Sequence, residues 1–478
     1  MKKSILLFVL LTSLLSLSAC GGGQKENSEE SKEEESSLLE SSEEESSTEE
    51  SSEETSEEEK EVEEAHIEYI MSSMMTDNPF KTYKLEFDYN NEYFAEPATS
   101  LNLDLALLSY GLSLSTGTEA SLKKYFEDCG FEVTFVSENY NGSTATSVSY
   151  VIAYRKVNGL PLLGVGIRGF NYGLEWSDNF NVGLEGNHAG FNQAAETIEA
   201  SIESIVNQKS LSEYKLWIAG YSRGGAIANI LGANLMKNDD AGKDDIYVYT
   251  FEAPRGVAEE NLGDFNNIHN FVNEADLIAS ILPAEHHLYR AGMDINIFNP
   301  NYRDMMLEFD SSIEIPALSE SYKDEIEIKD AILDRMVSEQ VSDYAIADMS
   351  TRENYYNNIQ PHATYLLDLF FKLKQSTLNK IKEAISKLEG LEMIGLIAED
   401  GLYKFLEEDN SFITDDGVEF DTLELKEHLH ISSALAVGPG AIALTIYLQN
   451  STDLTDLLNM HYPELIYVLL KNFELLGE

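Results

Sequence analysis

Residues 220–224 read Gly220-Tyr221-Ser222-Arg223-Gly224, a serine between two glycines. A serine hydroxyl attacks a carbonyl only when a base takes its proton and fixed donors receive the developing oxyanion. Five residues alone are weak evidence, because such strings occur by chance. The flanks sharpen them. Residues 214–219 form a short apolar run that predicts a buried strand, and residues 223–237, rich in small side chains, predict a helix. A strand, a tight turn and a helix push a serine into a strained and accessible position. Flanking glycines let such a turn close, and the helix N-terminus favours negative charge. The competing reading is a glycine turn that only packs a helix on a sheet.

The chemistry needs partners. One oxyanion donor in such a turn is the N–H of the residue after the serine, here Arg223, and a second comes from the loop after an earlier strand. The apolar run 162–168 ends at Gly169, which makes the Phe170 N–H the candidate, with an ordinary glycine turn as the alternative. The acid should follow the serine at a strand end. Asp276, just past the run 268–272, fits that place, where it would orient and stabilise an imidazolium. Glu252 and Glu274 are neighbours that could be mistaken for it, and the bland reading of Asp276 is a surface helix cap.

The histidine should come after Asp276. His286 and His287 follow it too closely and read as structural. His428 and His430 form an H-x-H with no carboxylate or cysteine cluster at ligand spacing, so no metal is expected. His362 lies in a loop leading into a helix. His461 lies just before a final helix over 464–473, whose start Pro463 would mark.

These residues need a scaffold. Helices are expected over 101–114, 121–129, 189–208 and 223–237, and strands over 131–136, 147–157, 162–168, 214–219, 246–251, 268–272 and 289–298. Strands alternating with helices imply a mostly parallel sheet covered on both faces. Residues 322–408 read as mostly helical. The apolar stretch 434–448 is short for a membrane span and contains Pro439, so a buried helix pair or a cap is expected there.

In order along the chain, several landmarks resemble those of the class 3 lipases of the α/β-hydrolase superfamily. Arg168-Gly169 with Trp176, Asp178, Asn179 and Phe180 resembles the family's arginine-glycine strand end and tryptophan loop. His188-Ala189-Gly190-Phe191 resembles its helix start, Thr250-Phe251-Glu252-Ala253-Pro254-Arg255 its threonine-phenylalanine-glycine-x-proline-arginine strand, and Asp276 with Leu282-Pro283 its catalytic aspartate. The resemblance spans about residues 100–295. It implies an α/β-hydrolase fold, a Ser222–Asp276–histidine triad, ester substrates and no cofactor. The family's histidine has a position similar to that of His362, with an aromatic residue soon after it, whereas the superfamily's histidine usually precedes the last helix, which favours His461 over the alternative His362. Residues of about 300–450 would then be a helical insertion. Two departures stand out. Phe170 replaces a small hydroxyl residue, and Arg223 replaces a common leucine, which puts substrate preference in question.

The N-terminus reads as an address. Met1-Lys2-Lys3, an apolar run over 5–17 and Leu17-Ser18-Ala19-Cys20-Gly21 resemble a bacterial lipoprotein signal over residues 1–19. The resemblance implies lipidation of Cys20, anchoring to the outer face of the membrane; the alternative is an ordinary signal cleaved near Ala19. Residues 24–64 hold 20 Glu and 3 Lys and too little apolar surface to fold, so residues 20–64 are expected to be a disordered tether. The domain then occupies 65–478. With a net charge of −53 over 478 residues, the chain is not expected to bind nucleic acid. Only Cys129 remains besides Cys20, so no intramolecular disulfide is expected within the fold. The expectation is therefore a surface-anchored esterase or lipase. Peptide or thioester substrates, acyl transfer, or a non-catalytic binding lipoprotein on the same fold are the alternatives. Acyl chain length, alcohol part and oligomeric state leave no mark in the sequence.

Overall fold

The computed structural model of the protein describes residues 63–76, 80–138, 140, 148–170, 174–238, 242–280, 282, 284–313, 315, 323–336, 351–358, 360–361 and 459–473. Its strands are β1 (Glu64–Ser72), β2 (Thr82–Asn90), β3 (Glu132–Val136), β4 (Tyr150–Val157), β5 (Leu160–Ile167), β6 (Lys215–Tyr221), β7 (Ile246–Phe251), β8 (Val257–Ala258), β9 (Ile268–Val272), β10 (Leu288–Tyr289) and β11 (Met293–Asn296). Its helices are α1 (Leu103–Ser115), α2 (Glu119–Asp128), α3 (Ala189–Lys209), α4 (Arg223–Asn238), α5 (Tyr302–Phe309), α6 (Glu325–Met336), α7 (Arg352–Asn358) and α8 (Pro463–Lys471).

Seven strands form one sheet in the order β11-β9-β7-β6-β5-β4-β3. The five from β11 to β5 run parallel, and β4 and β3 continue the sheet antiparallel. Every residue of β7 and β9 is buried, as is every residue of β6 after Lys215. Such unbroken burial is what a parallel strand shows when helices cover both its faces. One face carries α3 and α4 over Ile198, Ile202, Ile218, Ile227 and Val248. The other carries α1, α2 and α8 over Leu112, Phe126, Trp217, Tyr249 and Leu465. This is the mostly parallel, doubly covered sheet that the alternation of elements predicts, in the α/β-hydrolase arrangement that the resemblance implies. Among the described residues no helix is long and apolar enough to cross a membrane.

Local signals set the helix starts. Asn102 caps α1 by accepting from the Leu105 N–H at 2.9 Å, and Thr118 caps α2 by accepting from Ser121 N–H at 3.1 Å. Pro463 opens α8 at a position where its missing N–H costs nothing.

Three expectations need correction. β1 and β2 form an antiparallel ribbon packed on α1 and α2, which the sequence reading passed over. β1 starts at Glu64, the last residue of the segment expected as tether. The strand expected over 289–298 is two short strands, β10 and β11, broken at Gly292, whose φ of +88° suits a residue without a side chain. Of the helical insertion expected over about 300–450, α5, α6 and α7 are described. The expected signal over 1–19, the expected lipidation site Cys20, His362, His428, His430 and the 434–448 stretch lie outside the described residues.

Candidate active site

Ser222 occupies the turn between β6 and α4 with a φ of +54°, a left-handed conformation that an L-residue rarely adopts. Crowding explains the surrounding glycines. A Cβ at Gly220 would overlap the Gly224 carbonyl, and one at Gly224 would overlap the Ile167 carbonyl at the end of β5. A Cβ at Gly169 would overlap the Tyr221 carbonyl. The end of β5 therefore passes directly against the serine turn, and Phe170 follows at once. Arg223 is the first residue of α4, a position whose N–H has no acceptor within its own helix.

The Phe170 ring meets Tyr221 edge-on at 6.1 Å and covers Gly117. The Arg223 side chain turns away into the protein and is 1% exposed. Its guanidinium lies 3.2 Å from Glu175 and 3.6 Å from Asp178. Glu175, fully buried, also receives Arg168 at 2.7 Å and the Ser149 hydroxyl at 3.0 Å. Arg223 is thus an internal anchor of the turn, which resolves why a long cation can follow the serine. Burial raises the Asp178 carboxyl to about 7 against the pull of Arg223, and the negative charge of Glu175 adds to the rise. Nothing in the sequence marked Glu175; a glutamate in a polar loop looks like surface.

The structure brings Ser222, His461 and Asp276 together. His461 Nε2 lies 2.9 Å from Ser222 Oγ, and His461 Nδ1 lies 2.6 Å from Asp276 Oδ2. Asp276 is fully buried, follows β9, and its Oδ1 accepts from the Ile278 N–H at 2.7 Å. Burial alone would raise its pKa. The charge and hydrogen bond of His461 and the Ile278 N–H together hold it below the ordinary aspartate value. His286 is buried near Tyr355 and His287 is exposed, and neither takes part.

His461 sits in a loop held from several sides. Tyr221 stacks on its ring, and the Tyr221 hydroxyl donates to its carbonyl. Asn273 Nδ2 donates to the Met460 carbonyl at 2.9 Å, and Tyr110 donates to the Pro463 carbonyl at 2.8 Å. Glu464, at the start of α8, accepts from Ser73 at 2.8 Å and from the Met74 and Met75 N–H groups, tying the loop to the end of β1. Tyr110 drew no notice in the sequence, and Glu464 read only as the start of the last helix, because each acts across more than 350 positions. Glu252, Asp276 and His461 each offer a ligand atom within 4.8 Å of the others, but both His461 nitrogens already face Ser222 and Asp276.

Residues 115–286 match the family model described as Lipase (class 3). No curated protein matches the chain. Among solved structures, it is similar to a fungal lipase–inhibitor complex at 18% identity, covering 42% of this chain and 82% of that one with a TM-score of 0.34. A triacylglyceride lipase of Rhizomucor miehei is similar at 17% identity over 41% and 80% of the two chains, with a TM-score of 0.32. Lipase II of Rhizopus niveus is similar at 16% identity over 43% and 79%, with a TM-score of 0.30. The serine turn on a mostly parallel sheet and the lipase-family match over the segment that contains it define a serine carboxylic ester hydrolase of the α/β-hydrolase fold.

Proposed function

We propose that this protein is an exported, lipid-anchored lipase or esterase that works through Ser222, His461 and Asp276. The observation that carries the reading is the continuous chain of contacts from Ser222 Oγ to His461 Nε2 and from Nδ1 to Asp276. In this reading His461 takes the Ser222 proton as the oxygen attacks the ester carbonyl. The N–H groups of Phe170 and Arg223 receive the oxyanion, which they stabilise more as charge develops than in the ground state. His461 then protonates the leaving alcohol, and an acyl-enzyme remains on Ser222. Water, deprotonated by His461, releases the acid. Asp276 keeps Nδ1 protonated, so that Nε2 is free to accept.

The anchor is the second part of the proposal. The Leu17-Ser18-Ala19-Cys20 signal and the Glu/Ser-rich stretch behind it support a domain held on a tether at the outer membrane face. Strong negative charge would keep that domain off anionic headgroups. Lipid esters are the substrate class that agrees with this location and with the family match.

Hydrolysis of short- and long-chain nitrophenyl esters, compared between wild type, Ser222→Ala and His461→Ala, tests the chemistry. Both variants should lose about a thousandfold or more in kcat, and a fluorophosphonate probe should label wild type but not Ser222→Ala. Full activity in Ser222→Ala would end the proposal. Absence of both turnover and labelling in wild type would leave a binding module. Labelled palmitate entering wild type but not Cys20→Ser tests the anchor.

A further inference from the structure

Glu252 is the residue that the mechanism above leaves unused. It follows β7 with a φ of +49°, a conformation in which glycine would be unstrained and a side chain costs energy. The glutamate there is fully buried, and its carboxyl reaches the acid end of the catalytic contacts. Oε1 accepts from the Asn273 N–H at 2.9 Å. Among the described residues no N–H or O–H donor reaches Oε2. Asp276 Oδ1 and Oδ2 are both acceptors, already engaged by Ile278 N–H and His461. Two carboxyl groups so close, in a site without water's dielectric, cannot both hold a full negative charge. A proton between them removes the conflict and gives the bare oxygen a role.

We propose that Glu252 is a positioning residue that keeps a proton and donates it in a hydrogen bond to Asp276, so that one negative charge is shared across the pair. The proposal rests on the reading of Ser222, His461 and Asp276 as the triad. Glu252 holds the Asp276 carboxylate in register with His461 Nδ1 and spreads its charge, while its own proton stays in place through the reaction. The groups around it agree. Asp276 is the nearest negative charge, Tyr110 and Tyr221 pack nearby as neutral phenols, and the Arg290 cation acts from farther away. Burial first, and then the charge of Asp276, push the Glu252 carboxyl well above the ordinary glutamate range.

Two substitutions separate the possibilities. Glu252→Gln keeps shape and donor and matches the neutral acid. Glu252→Leu keeps bulk and removes the donor. Glu252→Leu should lose about tenfold to a hundredfold in kcat with KM within about twofold, and Glu252→Gln should recover most of that loss. The acid limb of the pH–rate profile should stay in place in Glu252→Gln, because no charge has been removed. A protonated-carboxyl C=O band in the infrared spectrum at pH 8 should be present in wild type and absent in Glu252→Gln, which reads the proton even if Glu252→Leu does not fold. A displaced acid limb in Glu252→Gln, a missing infrared band, or a folded Glu252→Leu with wild-type kcat would each overturn the proposal. Ser222→Ala run beside them keeps the two readings apart. Activity surviving in that variant would sink the triad whatever the band shows, whereas a missing band with Ser222-dependent turnover would sink only the role of Glu252.

Discussion

Tyr221 and His461 are joined twice, with ring centroids 5.2 Å apart at an interplanar angle of 29° and the tyrosine hydroxyl donating to the histidine carbonyl. The residue before Ser222 thus grips the backbone and the face of the residue proposed as its base. Tyr221→Phe keeps the stack and removes the donor. It should lower kcat about threefold to tenfold and stability by about 1 kcal/mol, because one buried carbonyl loses its partner. Ester kinetics and urea unfolding of the same preparation measure both; an unchanged kcat would show that the stack alone fixes the imidazole.

The buried charges behind the serine turn set a second expectation. Glu175 is the carboxylate that Arg168 and Arg223 share, so two cations already face one negative charge. Glu175→Gln leaves two buried cations underbalanced and should cost about 3–5 kcal/mol. Thermal unfolding will read the loss, and a Tm within a degree of wild type would mean that water already screens the cluster.

Asp178 gives a pH-dependent version of the same test. Its carboxyl is protonated in the folded protein below about 7, whereas the unfolded chain ionises it near the ordinary value of 3.8. Its contribution to stability is therefore complete below about pH 4 and is lost as pH rises toward 7. Asp178→Asn, a mimic of the protonated acid, should gain on wild type over that interval by up to about 1.4 kcal/mol per pH unit. Urea midpoints from pH 4 to 7.5 measure the difference; a constant offset would refute the assignment.

His188 predicts the opposite slope. It caps α3, stacks on Phe191 at 3.8 Å and lies 3.2 Å from the Asn179 carbonyl through Nε2. Burial lowers its pKa to about 3 despite that hydrogen bond. Below pH 6.5 the unfolded chain takes up a proton that the folded site refuses, so stability falls as pH falls from 6.5 toward 3. His188→Asn, which can still cap the helix, should be less stable at pH 7.5 but should close the gap as the pH drops. The same urea series run down to pH 5 will show whether the two curves converge.

Ser222 was legible in the sequence because its signal is local: a buried strand, a fixed glycine spacing and a small-residue helix within about twenty residues. The order of Ser222 and Asp276 along the chain was legible for the same reason. The histidine was not, since two loops had the right order and only folding brings position 461 to position 222. Glu252 read as a bystander, because burial and a left-handed φ are invisible in its residue type. The β1–β2 ribbon was missed although β2 alternates exposed and buried residues almost perfectly. Lys84, Glu86 and Asp88 on its outer face look like a continuation of the charged run before it.

The contact between Ser222 and His461 spans 239 positions. The serine turn is complete once α4 has formed on the sheet, but the imidazole arrives only with α8, and that helix is tied back to the end of β1 through Glu464. Closing so long a loop is slow compared with forming the local turn. If Ser222 and His461 act as proposed, a growing chain therefore carries an unarmed serine over the 239 positions between them, and hydrolytic power follows only once α8 has docked.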